Sequence, residues 1–187
     1  MSVAFAFIAS GFVWLSFELW LNFRDRARVD ATEDKSSGLH LFSLLIAALV
    51  ICVIIQQTDL PRIPIGQDHR YLIGTSVVLA GAVLRWWAFW SLGKYFRTVL
   101  AIQDGQKVVD RGPYRFIRHP AYTGALLAFT GFGLGLGIWA GLAVILALSF
   151  LGYHRRIKLE EQLMITCFQA EYLRFMEKTK KLIPFIY

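Results

Sequence analysis

The sequence has little charge. Lys, Arg, Asp and Glu together make up 18% of its 187 residues, where a soluble domain runs nearer a quarter. Disorder is excluded, because disorder needs high charge and low hydrophobicity, and 56% of this chain is hydrophobic. Cysteine is scarce: Cys52 and Cys167 are too few for a disulfide scaffold, and Cys52 lies in an apolar run where a buried thiol is expected. No glycine string follows a strand, so a soluble methyltransferase fold of the Rossmann type is not available. No zinc spacing and no aromatic-rich basic groove are present. The net charge of +7 therefore does not point to nucleic acid, and no metal site is expected.

What the chain has is long apolar runs. Met1 to Phe23 contains one charge, Glu18, and lacks the basic start and small-residue cleavage site of a signal peptide. It reads as a transmembrane helix. Leu39–Ile55 and Tyr71–Leu92 are the second and third runs, the third interrupted by Arg85. Ala121–Tyr153 spans 33 residues. One helix of that length would reach about 50 Å, too long for a hydrocarbon core of about 30 Å. Gly131, Gly133, Gly135 and Gly137 sit near its middle and predict a turn there. The expectation is an all-α integral membrane protein with five transmembrane helices, helices 4 and 5 forming a tight hairpin.

Lys and Arg alternate as five spans require. Segment 24–38 holds four, 56–70 two, 93–120 six and 154–187 seven, while the N-terminus and the glycine hairpin hold none. The positive-inside rule places the N-terminus outside and the C-terminus in the cytoplasm. The segments 93–120 and 154–187 then share the cytoplasmic face. Leu163, Phe168, Tyr172, Phe175 and Met176 make an apolar stripe in the latter. They predict an amphipathic cytoplasmic helix packed on the bundle or the membrane surface. One domain is expected over 1–187, with two N-terminal helices in 1–70 and a catalytic core in 71–187.

Two strings carry chemistry. In 112–124, GPYRFIRHPAYTG, Pro120 suits the first turn of a helix and puts His119 at its N-terminus, where backbone N–H groups attract anions. In 154–161, HRRIKLEE, Arg156 and Glu160 are four apart and share a helical face. Deep in the third run, Arg85 predicts either a partner for Glu18 or a lining of a substrate path, the alternative for Glu18 being to snorkel to a helix end. Trp86, Trp87 and Trp90 read as interfacial packing.

These strings, with EYLRF (171–175) and LIPFIY (182–187), resemble the isoprenylcysteine carboxyl methyltransferase family over roughly residues 71–187. Lipid-amine methyltransferases and, more distantly, membrane sterol reductases share the pattern. The resemblance implies methyl transfer from S-adenosylmethionine to a lipid or prenylated acceptor that enters from the bilayer. It implies a donor site at Gln106, Lys107, Val108, Val109, Tyr114, His119, Pro120, Ala121, Tyr122 and Glu160, with Arg156 as the catalytic clamp on the acceptor carboxylate. Arg85 joins the substrate-binding set. The family often has histidine where this chain has Gln106, and commonly glycine where it has Gln169.

The chemistry is compatible. Aromatic faces suit a sulfonium, a helix N-terminus with His and Arg suits a carboxylate, and Glu160 suits ribose hydroxyls. A carboxylate acceptor is ionised at pH 7 and needs no base. An amine acceptor would need one, for which Glu160, Glu161 or His119 qualifies. A membrane reductase is a weaker alternative, and so is a transporter, which would need repeat symmetry or several intramembrane charges where the apolar runs hold only Glu18 and Arg85. The acceptor and the oligomeric state stay open.

Overall fold

The computed structural model describes residues 2–26 and 35–184. Arg28 of the first basic segment and the last three residues of LIPFIY lie outside the described residues. Five α-helices are described: α1 (Val3–Arg26), α2 (Lys35–Ile55), α3 (Gln67–Leu92), α4 (Pro120–Leu136) and α5 (Trp139–Lys178). Two short 3-10 turns, Gly93–Tyr95 and Gly112–Arg115, interrupt the connection between α3 and α4. Only isolated bridges, Arg62 with Ile138 and Ile117 with Lys180, show extended pairing among the described residues.

Stretches of α1 and α3, Val3–Asp25 and Gln67–Tyr95, are each long and apolar enough to cross a membrane. Their outward faces carry bare Phe12, Val13, Val83 and Trp90. Such a surface is a liability in water and ordinary in lipid.

The predicted glycine turn falls at the last of the four glycines. Gly131, Gly133 and Gly135 lie inside α4, and the chain reverses at Gly137, whose φ of +77° favours glycine, followed by extended Ile138. The inner glycines serve packing instead. α3 and α4 approach so closely that a Cβ on Gly81 would collide with the carbonyl of Gly124 and lie 2.7 Å from the Ala128 nitrogen. A Cβ on Gly131 would come within 2.6 Å of the Gly74 carbonyl. Between helices in lipid there is little hydrophobic drive, and bare backbones gain by dispersion what large side chains would block. Tertiary packing has overridden the local preference of glycine for turns.

The expected separate amphipathic helix is the far part of α5. This helix runs 40 residues from the hairpin into the polar segment, broken only at Gln169 (φ 43°, ψ −119°). Past that kink Tyr172 and Phe175 are buried with Leu21, Ala88, Phe96 and Tyr114, so the stripe packs on the bundle.

Candidate functional site

Gly112 opens the site's frame. Its φ is +59°, and a Cβ there would meet Ser91. The 3-10 turn that follows buries Pro113 and Tyr114 and delivers residues 117–119 alongside the C-terminal tail. Arg118 N–H donates to the Lys180 carbonyl (2.7 Å) and His119 N–H to that of Lys181 (3.1 Å). His119 is thereby fixed as the N-cap of α4, with Pro120 in the first turn, as the sequence predicts.

Glu161 on α5 secures this arrangement. It accepts from Arg118 Nε (2.8 Å), lies 3.4 Å from His119 Nε2 and pairs with Lys181 Nζ at 3.1 Å. Burial works to raise its pKa, but hydrogen bonds from His119, Arg118 and Lys181 outweigh it and hold the carboxyl at about 2. Arg118 also donates to the carbonyls of Met176 and Thr179.

The neighbouring Glu160 faces the other way. The His119 ring stacks on Tyr122, centroids 5.6 Å apart. Tyr122 OH donates to Glu160 Oε2 (2.5 Å) and accepts from Arg156 Nε (2.9 Å). Sequence spacing puts Arg156 and Glu160 on one face, and the structure places the Tyr122 hydroxyl between them. Arg156 Nη2 donates to the carbonyl of Thr98. Burial and nearby Glu160 push the Tyr114 hydroxyl well above its usual range, keeping it neutral.

These groups line one cavity of about 380 Å³, within the range of small-molecule sites. Of the residues expected at the donor site, Gln106, Lys107, Val108, Val109, Tyr114, His119, Ala121, Tyr122 and Glu160 line it. Pro120 does not; it is fully buried where α4 begins. Gln106 Oε1 accepts from the Gln103 N–H at 3.0 Å, so that part of its amide closes its own turn. Arg156 and Arg85 line the same cavity. Arg85 meets the first expectation, a pairing with Glu18: its Nη2 donates to Glu18 Oε2 (2.7 Å), and its Nη1 donates to the Ala121 carbonyl (2.9 Å). Glu18 therefore does not snorkel. Trp86 and Trp90 line a separate apolar crevice with Phe17, Trp20 and Phe89, in keeping with packing.

The cavity has two ends. His119, Glu160 and Arg156 mark a polar end, and Leu163, Met164, Tyr172 and Phe175 of α5 also line the cavity. Trp14, Leu15, Leu41, Leu45, Phe129 and Phe132 make the other end apolar, between α1, α2 and α4.

Sequence reasoning missed the strap that crosses this space, residues 96–98. Asp25, fully buried at the end of α1, accepts the Thr98 N–H at 2.5 Å. Arg24 Nη2 donates to the Phe96 carbonyl (3.0 Å). No periodic pattern marks residues 93–102, so nothing local signals that Asp25, Thr98 and Arg156 meet.

A family model described as phospholipid methyltransferase matches residues 69–171. A probable protein-S-isoprenylcysteine O-methyltransferase of Oryza sativa subsp. japonica is 26% identical over 168 residues, covering 88% of this chain and 85% of the relative. Protein-S-isoprenylcysteine O-methyltransferase B of Arabidopsis thaliana is 24% identical over 160 residues, 81% of each chain. The solved eukaryotic intramembrane Ras methyltransferase ICMT (isoprenylcysteine carboxyl methyltransferase) superposes with a TM-score of 0.64 at 20% identity. That match covers 87% of this chain and 56% of the solved one, and it shows the shared membrane fold.

Proposed function

Since the chain belongs to the phospholipid methyltransferase family, we propose that it is an S-adenosylmethionine-dependent O-methyltransferase acting on a lipid-linked carboxylate of the prenylcysteine kind. The observation that carries this reading is the Arg156–Tyr122–Glu160 chain of hydrogen bonds at the polar end of a cavity whose other end is apolar. A lipid acceptor needs both ends: one for its tail and one for its reacting head.

The residues present fit the donor. Tyr114, Tyr122 and Tyr172 bring aromatic rings to the cavity, Glu160 brings a hydroxyl-binding carboxylate, and Gln106 and Lys107 add polar contacts. When bound, S-adenosylmethionine supplies an electrophilic methyl group. The protein's own contribution is alignment and exclusion of water. His119, stacked on Tyr122, and Tyr122, bonded to Glu160, hold one another in fixed orientations. The Nε edge of Arg156 is taken up by Tyr122 and its Nη2 by the Thr98 carbonyl, so Arg156 offers the acceptor a fixed positive charge.

Charge selects the acceptor. With Arg118 answered by Glu161, the lining carries Arg85, Arg97, Lys107 and Arg156 against Glu18 and Glu160. This excess favours a carboxylate and repels an ammonium. The family's description keeps methylation of a lipid amine as the second reading, with Glu160 as the proton acceptor. In the bilayer we read five spans, the N-terminus outside and the polar ends of α4 and α5 in the cytoplasm. Residues 71–187 hold most of the polar groups, and α1 and α2 close the lipid side.

The test is donor titration of the purified protein in detergent, then methyl transfer to prenylcysteine, fatty-acid and aminolipid acceptors. His119→Ala and Glu160→Gln should each weaken donor binding about 10- to 150-fold. Arg156→Lys keeps the charge but loses the guanidinium that holds Tyr122 and the Thr98 carbonyl together, so donor binding should stay near normal while turnover falls at least about tenfold. Full activity of Arg156→Ala on a carboxylate acceptor would overturn the reading, and nicotinamide binding in place of donor binding would replace it with a reductase.

A further inference from the structure

Most charged side chains of the cavity have answered partners: Arg85 has Glu18, Arg118 has Glu161, and Tyr122 joins Arg156 to Glu160. Arg97 differs. It lines the cavity, and its Nη1 is buried without a hydrogen-bond partner among the described residues. A buried guanidinium nitrogen left unpaired is costly, and a site that keeps one has a use for it when occupied.

Its backbone is held with unusual care. The Phe96 carbonyl accepts from Arg24. The Thr98 N–H goes to fully buried Asp25, and the Thr98 carbonyl to Arg156. Arg97 is thus carried between two anchored residues, and one peptide links it to the Arg156 guanidinium. Holding the strap in place before a ligand arrives lowers the ordering cost of binding.

We propose that Arg97 is the carboxylate anchor of this cavity, its Nη1 donating to a ligand carboxylate beside Arg156. The inference rests on the methyltransferase reading above. Two carboxylates qualify, the acceptor's and the α-carboxylate of the donor, and both present the same chemistry to Arg97.

The experiment compares binding of matched pairs to the full chain in detergent. One pair is a prenylcysteine acid and its neutral amide; the other is S-adenosylmethionine and its decarboxylated analogue. The unaltered protein should favour the carboxylate member of one pair about 10- to 100-fold, and Arg97→Gln should erase that preference while leaving the neutral member's affinity unchanged. Arg97→Lys keeps the charge without the planar fork and should retain part of it. Collapse of the acid-to-amide ratio assigns Arg97 to the acceptor, and collapse of the donor ratio assigns it to the donor. Both ratios unchanged in folded Arg97→Gln and Arg97→Lys overturn the proposal. The readout is binding, so failure of Arg97 is distinguishable from failure of transfer: an unaltered protein that binds these ligands but methylates nothing would sink the proposed function alone.

Discussion

Helix α4 is held at two places by opposite means. Along its length it meets α3 through Gly74, Gly81, Gly124 and Gly131, a seam made by leaving side chains out. At its start it is held by Glu161 and by two backbone hydrogen bonds to the tail, a clasp made of charge and polar pairing. The difference follows the surroundings. Within lipid there is little hydrophobic gain from bringing helices together, so close fit must do it. Beyond the lipid, charged groups can be afforded, and they come with a dependence on pH and salt that the seam lacks.

The largest expected effect separates the two by size. Gly81→Leu should cost about 3 kcal/mol or more, because a side chain there meets the backbone of Gly124 and Ala128, which cannot swing aside. Size-exclusion chromatography and thermal denaturation in detergent should show loss of the folded protein. Val13→Ala, on the outward face of α1 at 68% exposure, should change stability by less than about 0.5 kcal/mol. A folded Gly81→Leu protein with normal melting would break the contrast.

The second effect separates them by pH. Glu161 has its carboxyl held at about 2 against an ordinary 4.5, so the folded state favours its ionised form. Its contribution is complete above pH 4.5 and is lost as pH falls toward 2, in total about 3 kcal/mol. Melting temperature should fall across that window. Glu161→Gln should be less stable at neutral pH and flatter below pH 4.5; a parallel fall in both proteins would remove Glu161 as the cause.

How much of this was legible beforehand depends on whether the signal is local. His119, Tyr122, Arg156 and Glu160 lie in two short strings whose spacing already places them at a helix start and on one helix face. The strap was invisible because Asp25 and Thr98 meet across 73 positions of sequence with no pattern to announce it. The glycines of α4 misled for a physical reason: alternate glycines weaken a helix in water, whereas here the partner backbone of α3 makes use of their bareness. Gln169 was flagged as a glycine position and is the non-glycine residue with positive φ among the described residues.

The smallest effect follows from that residue, which kinks α5. Gln169→Gly should relieve backbone strain, less the added freedom of the unfolded chain, for a net gain of about 1 kcal/mol. Melting should rise by roughly 2–4 °C, with donor binding unchanged. An equal or lower melting temperature would mean that the kink is relaxed as it stands.

The pairing of residues 117–119 with 180–181 also orders events in time. A chain emerges from the ribosome N-terminus first, and the apolar helices can enter the bilayer as they appear. Lys180, Lys181 and Leu182 follow all five described helices in the chain. Until they arrive, the backbone N–H groups of Arg118 and His119 have no carbonyls to meet, and the Thr123 hydroxyl lacks its bond to Leu182. The histidine that begins α4 is therefore seated only after the bundle is in place, and a half-made chain in the membrane carries an open, unfinished site.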